Sequence, residues 1–154
     1  MRKIATTGIW KIEKRLDHVI DYTTNIEKTL NSEYGKETYY DLHNVIDYVE
    51  ADFKTEKQYY VSGVNCNVET AYEEMIITKQ QYNKTGGILG FHAFQSFAER
   101  EVTPEQAHLI GLKLAEEMWG DRFEVIVSTH LNTKHYHNHF VINSVSFKDG
   151  KRYY

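Results

Sequence analysis

Cysteine is nearly absent from this chain: Cys66 is the only one in 154 residues, so neither an internal disulfide nor a thiolate-based zinc site can form within one molecule. That scarcity accords with a reducing, cytoplasmic setting. Long apolar runs are missing as well. Nothing in the sequence is long enough to span a bilayer, and the N-terminal MRKIATTGIWKIEKR lacks the apolar segment of a signal peptide. The expectation is a soluble protein with no membrane insertion. Internal repeats and low-complexity linkers are also lacking, which leaves one compact domain as the simplest organisation. An excess of positive charge is missing too, and the formal net charge of -4 weighs against non-specific attraction to nucleic acid.

Hydrophobic residues make up 41% of the chain and charged residues 26%, the balance of a globular protein rather than a disordered or collagen-like one. A chain of this length buries roughly two-thirds of the surface its unfolded form exposes. Aromatic residues reach 14%, with 12 tyrosines. Such enrichment suits either a surface that stacks on bases or a tyrosine-rich core whose hydroxyls reach water. Charge is unevenly spread. Residues 121–154 hold five Lys/Arg against three Asp/Glu, so this end is net positive while residues 1–120 carry about -6. An anion is better placed at the C-terminal end.

The hydrophobic pattern gives a coarse order of elements. IATTGIW (4–10) reads as a strand, and Leu16, Val19, Ile20 and Thr23 at helical spacing predict a helix over about 12–24. DLHNVIDYVEA (41–51) reads as a second helix, YYVSGVNC (59–66) as a buried strand and 69–82 as a third helix. ILGFHAFQSF (88–97) alternates as a strand. TPEQAHLIGLKLAEEMWG (103–120) carries the clearest helix signals, with Thr103 as N-cap, Pro104 in the first turn and Gly120 at the end. RFEVIVSTHL (122–131) and HYHNHFVINSVSF (135–147) are two strands joined through Asn132, Thr133 and Lys134 as a hairpin. The whole is expected to be α+β, with helices flanking a mainly antiparallel sheet of about five strands.

HLNTKHYHNHFVIN (130–143) gathers four of the 8 histidines. Alternation along a strand puts His135, His137 and His139 on one face, and His130 reaches them across the hairpin. A lone histidine is usually a surface or hydrogen-bonded ring. Four in this arrangement favour a divalent metal site built from imidazoles, with positions left open for an anionic ligand. His92, followed by Gln95, lies on a strand and either joins that pocket or packs in the sheet.

The ordered set His130-x-Asn132-x-x-His135-x-His137-x-His139-x-Val141-x-Asn143 resembles the metal motif of the HUH endonucleases, in the form used by relaxases of conjugative and mobilisable elements. ATTGIW with RLDHVIDYTTNIEKT, YYVSGVNC, FHAFQSFAEREVTPEQAHLIG and DRFEVIVSTH resemble the rest of the N-terminal domain of that family, in the MobA/MobL-like group. The resemblance implies a relaxase: a metal-dependent, strand-specific nuclease that nicks DNA at an origin of transfer. A tyrosine attacks one phosphodiester, stays joined to the 5′ phosphate and later rejoins the strand. It implies Tyr22 of IDYTTN as nucleophile; among the tyrosines the sequence by itself does not separate Tyr22 from Tyr34, Tyr39 or Tyr40. His130, His137 and His139 match the metal ligands, and His135 and Asn132 match supporting positions behind them. Mn²⁺ or Mg²⁺ is the first expectation and Zn²⁺ an alternative. Asp21, roughly 100° round a helix from Tyr22, is a poor base. The implied partners are single-stranded and origin-of-transfer DNA, accessory relaxosome proteins and a coupling protein. Lys134, Lys148, Lys151 and Arg152 are expected near the metal as phosphate contacts, with His92 and Gln95 as further DNA contacts.

Two departures from the family pattern stand out. Position 132 is Asn where the family usually has Asp, so a lower metal affinity or rate is expected. The chain also stops at KDGKRYY, soon after the last motif strand, which suggests a truncated relaxase domain. Two other functions fit the same residues: a rolling-circle replication initiator of the same superfamily, and a non-cleaving, metal-stabilised module that binds single-stranded DNA.

Overall fold

The computed structural model describes residues 6–24, 60–131 and 133–153. The helix expected over 41–51 lies outside them, as do Tyr34, Tyr39, Tyr40 and Asn132. The described elements are β1 (Thr6–Ile12), α1 (Leu16–Thr23), β2 (Val61–Val64), a 3₁₀ turn (Val68–Thr70) leading into α2 (Ala71–Gln81), β3 (Gly90–Ser96), α3 (Pro104–Trp119), β4 (Val125–His130) and β5 (His137–Asn143). The strands form one sheet in the order β1-β3-β5-β4-β2, and every neighbouring pair is antiparallel. This is the α+β architecture expected from the pattern.

Period-2 alternation sorts the side chains to two faces. Phe91, Ala93, Val125, Val127, Phe140 and Ile142 point to α3, where Ala115 and Trp119 complete one core cluster. Ile126 and Val141 point the other way, to α1 and α2, and pack with Leu16, Ile20, Ala71 and Met75. Each such side chain, taken fully out of water, contributes roughly 1.5–3 kcal/mol before chain entropy is counted. Among the described residues, the helices of this second face cover only part of it. The end of the sheet around His130, His137 and His139 is left beside the C-terminus of α1.

α3 begins as its sequence predicts. Thr103 Oγ1 accepts from Gln106 N at 3.1 Å, and Gln106 Oε1 accepts from Thr103 N at 3.0 Å, a reciprocal cap with Pro104 just inside. Ala107, Gly111, Ala115 and Trp119 form its buried stripe. Gly111 is required there: a Cβ would come within 2.6 Å of the Asn138 amide on β5.

α1 starts four residues later than expected. Ile12 belongs to β1, where it pairs with Gly90, and its carbonyl accepts from Leu89 N at 2.7 Å. Arg15 then turns the chain at φ 54 before the helix begins. The ladder to β3 claims residues whose spacing alone looks helical.

Asn143, at the end of β5, ties the sheet to α2. It accepts from buried Lys79 Nζ and donates to Glu124 Oε1 at 2.8 Å and to the Met75 carbonyl at 3.2 Å. Burial holds the Lys79 ammonium down to about 8, against the opposing pull of Glu124. The last residue of the histidine motif is therefore structural.

Candidate metal centre and active site

His130 is the last residue of β4 and pairs with His137, the first residue of β5. His139, two residues on, points to the same face. The three rings lie close together, with centroids 4.2 Å apart for His130 and His139 and 5.0 Å for each other pair. One nitrogen from each ring falls within 4.8 Å of the others. With metal–nitrogen bonds of about 2.0–2.1 Å, ligand nitrogens stand no more than about 4.2 Å apart, so sub-ångström closure makes a tridentate face. The donor set fits a divalent ion: three neutral nitrogens, one face open to further oxygen ligands, no thiolate. Cys66 lies elsewhere, and burial pushes its thiol up to about 12.

Each ring is held by something beyond the trio. His137 Nδ1 donates to the His135 carbonyl at 3.0 Å, which presents Nε2 with its lone pair. His139 Nδ1 and His92 Nε2 share one proton at 2.6 Å. Burial lowers the His92 pKa, which favours the neutral ring this bond needs. His130, 1% exposed, places Nε2 2.8 Å from the Thr23 carbonyl.

That last contact joins the centre to α1. The carbonyls of a final helical turn have no partner within the helix. Thr23 and Thr24 turn their hydroxyls back onto the Ile20 carbonyl, at 3.2 and 2.7 Å, while the Thr23 carbonyl serves His130. Tyr22 is thereby set over the histidines. Its ring meets His130 and His139 edge-on, at 5.8 and 6.0 Å between centroids, and is 52% exposed. Asp21 lines a different cleft, with Asp17, Val68, Glu69 and Tyr72.

Other expected site residues stand elsewhere. His135 precedes β5 in the exposed hairpin connection, because pairing with β4 begins only at His137. Its ring Nδ1 lies 3.2 Å from the Phe97 carbonyl, and its backbone carbonyl, not its ring, orients His137. Lys134 is exposed in the same connection, in a cleft shared with Arg100 and Thr103. Lys148, Lys151 and Arg152 do not border the histidines. They follow the Asn143 end of β5, a strand length of roughly 20 Å away, and Arg152 reaches the Gly86 carbonyl at 3.4 Å. Gln95 faces α3 and is buried, so the contact with DNA expected of it gives way to a bond with Asn138. His92 lies behind His139.

His108 on α3, which the hydrophobic pattern and the histidine motif do not mark, organises the opposite face. Ser62 Oγ donates to His108 Nε2 at 2.7 Å, and His108 Nδ1 donates to Thr129 Oγ1 at 2.8 Å. Thr129 in turn donates to Asn138 Oδ1 at 2.6 Å, and the Asn138 amide donates to Gln95 Oε1 at 3.0 Å and the Ala107 carbonyl at 2.8 Å. Because Thr129 gives its proton to Asn138, His108 Nδ1 must donate to Thr129, and Nε2 accepts from Ser62 in the neutral ring. Burial pushes its imidazole down to about 4.

No described helix is long and apolar enough to cross a membrane. Residues 48–154 match the family model described as "Relaxase: MobA/VirD2-like, nuclease domain". The chain is 46% identical over 92 residues to Protein rlx of Staphylococcus aureus, a match covering 60% of this chain and 29% of that protein. It is 31% identical over 166 residues to the group II intron-interrupted relaxase LtrB of Lactococcus lactis subsp. cremoris, covering 91% of this chain and again 29% of that protein. The chain thus spans under a third of the length of these relatives. No solved structure matches it. With the match running through β2 to β5 and the whole histidine hairpin, the chain belongs to the MobA/VirD2-like relaxases, within their nuclease domain.

Proposed function

We propose that this domain nicks one DNA strand at an origin of transfer, with Tyr22 as nucleophile and a divalent ion held by His130, His137 and His139. The observation that carries the reading is the position of Tyr22, edge-on to His130 and His139 and half exposed. A phenol beside a three-nitrogen metal face and open to solvent has the layout needed for attack on a phosphate seated there.

The Tyr22 oxygen forms a bond to phosphorus, the bond from phosphorus to the 3′ oxygen breaks, and the 3′ oxygen leaves as a hydroxyl, taking up a proton. The phosphotyrosine retains the energy of the broken ester, so attack by a 3′ hydroxyl runs the step backwards and rejoins the strand. When bound, the metal neutralises charge on the non-bridging phosphate oxygens and orients the phosphate. The chain supplies the rest. The Thr23 carbonyl and the Ile20 turn position Tyr22 relative to His130, while His92 and the His135 carbonyl fix the rings of His139 and His137. Mn²⁺ or Mg²⁺ suits such phosphate chemistry, with Zn²⁺ the alternative for an all-imidazole face. Accessory relaxosome proteins and a coupling protein complete the proposed setting.

Intact-protein mass after incubation with Mn²⁺ and single-stranded oligonucleotides tiling the origin of transfer tests this. The expected product is protein plus a 5′-phosphorylated fragment, absent with Tyr22→Phe. An unchanged mass under every metal and oligonucleotide, with DNA still bound, would leave a non-cleaving DNA-binding module.

A further inference from the structure

We infer that Trp10 and Phe94 form a stacking platform for a base next to the scissile phosphate, a proposal that rests on the nicking reading of the Tyr22 site. Trp10 is 56% exposed on β1, an outer strand of the sheet among the described residues. Its ring stacks on Phe94 of β3, with centroids 5.2 Å apart and planes 15° from parallel. Gly8 makes this possible. It sits opposite Phe94 in the register, and a Cβ there would come within 2.5 Å of the Phe94 ring. The phenyl ring therefore lies flat on β1 and fixes the plane of the indole.

The platform is continuous with the metal centre. Trp10 pairs with His92 across the strands, at 6.0 Å between rings, and His92 lies 4.9 Å from His139. All of these side chains share the sheet face that carries Tyr22 and the histidine trio. On that face, α1 and α2 occupy the ground over Ile126 and Val141. Among the described residues, a strand whose phosphate sits at the trio finds open surface towards β3 and β1, where Trp10 and Phe94 stand. A nucleotide base fits this surface, because the face of an exposed indole offers flat stacking area and every base has a face to lay on it. The platform therefore holds the strand without reading its sequence, leaving discrimination to other contacts.

The chain has two tryptophans, and Trp119 is buried in the α3 core. In a Trp119→Phe background, emission reports Trp10 alone. Single-stranded oligonucleotides tiling the origin of transfer, with Mn²⁺, are expected to quench it. A single abasic substitution walked along the cleaved oligonucleotide should relieve the quenching at one or two positions beside the nick. Trp10→Ala is expected to weaken binding on the order of ten-fold, with Trp10→Phe recovering most of it. An oligonucleotide that forms the Tyr22 adduct yet leaves Trp10 emission unchanged overturns the platform and spares the nicking reading. Quenching with the abasic dependence but no adduct keeps the platform and removes the chemistry. Neither binding nor adduct removes both.

Discussion

One histidine on one face of the sheet and three on the other are held in opposite ways. On the α3 side, both ring nitrogens of His108 are used inside a closed chain of hydrogen bonds from Ser62 to Asn138. On the α1 side, His137 and His139 are each held at Nδ1, and with His130 they bring one nitrogen apiece to within 4.8 Å of one another. The first arrangement satisfies its ring and stops there. The second turns three rings towards one another across the β4–β5 pair. β5 serves both, since Asn138 lies on one face and His137 and His139 on the other. Alternation alone gives one short strand a structural anchor on one face and two clustered histidines on the other.

The largest effect that sharpens this contrast is on covalent chemistry. Tyr22→Phe is expected to cut oligonucleotide adduct formation by about 10³-fold or more while leaving fold and DNA affinity intact. Gel separation of protein–DNA adducts measures it. Residual adduct at the wild-type rate would move the nucleophile to another tyrosine.

Metal affinity separates the two faces next. His139→Ala should weaken Mn²⁺ binding by at least about 100-fold, and His92→Ala by about 10–100-fold through its hold on the His139 ring. Isothermal titration calorimetry reads both. His108→Ala, which strands Ser62 and Thr129, should leave metal affinity within error and lower stability by about 2–4 kcal/mol in urea unfolding. A His108→Ala variant that lost the metal would erase the distinction between the two faces.

Acid distinguishes them too. Because burial holds His108 in the folded protein well below an ordinary histidine, the unfolded chain takes up the proton first as pH falls. This contribution to stability is complete above about 6.5 and is lost as pH drops towards 4. The full swing is on the order of 3 kcal/mol. His108→Gln, which hydrogen-bonds without titrating, should flatten the stability profile across that window relative to wild type. Parallel profiles would show that His108 does not carry the acid response.

The contrast also explains what the sequence could disclose. HLNTKHYHNHFVIN discloses the shared face of His137 and His139 because strand alternation is local, needing only a period of two. Its weak point was His135, which alternation places with His137 and His139 but pairing with β4 leaves in the connection; no local pattern marks where a ladder begins. The same competition shortened α1, since Ile12 to Arg15 suit a helix until β3 is there to pair with Ile12. Lys148, Lys151 and Arg152 are near the histidines in sequence and a strand length away in space. His108 was silent because Ser62 and Thr129 are joined to it only by the fold. Two signs did point there: the small stripe of Ala107, Gly111 and Ala115 marks the packed side of α3 beside His108, and Ser128-Thr129 interrupts an otherwise apolar strand.

The smallest effect probes how far the closed side depends on the helix that delivers His108. The Thr103 cap fixes the first turn of α3, and His108 follows one turn later. Thr103→Ala removes the acceptor for Gln106 N and should cost about 1 kcal/mol, a fall of roughly 2–4 °C in Tm. Fraying from that end would loosen the His108 bonds before any contact of Tyr22 or the trio, which hang on α1, β4 and β5 instead. Hydrogen exchange is therefore expected to rise at Ala107 and His108 in this variant, with Mn²⁺ affinity unchanged. A matching loss of affinity would mean that the polar chain through Thr129 and Asn138 transmits strain across β4 and β5, and that the two faces are one mechanical unit.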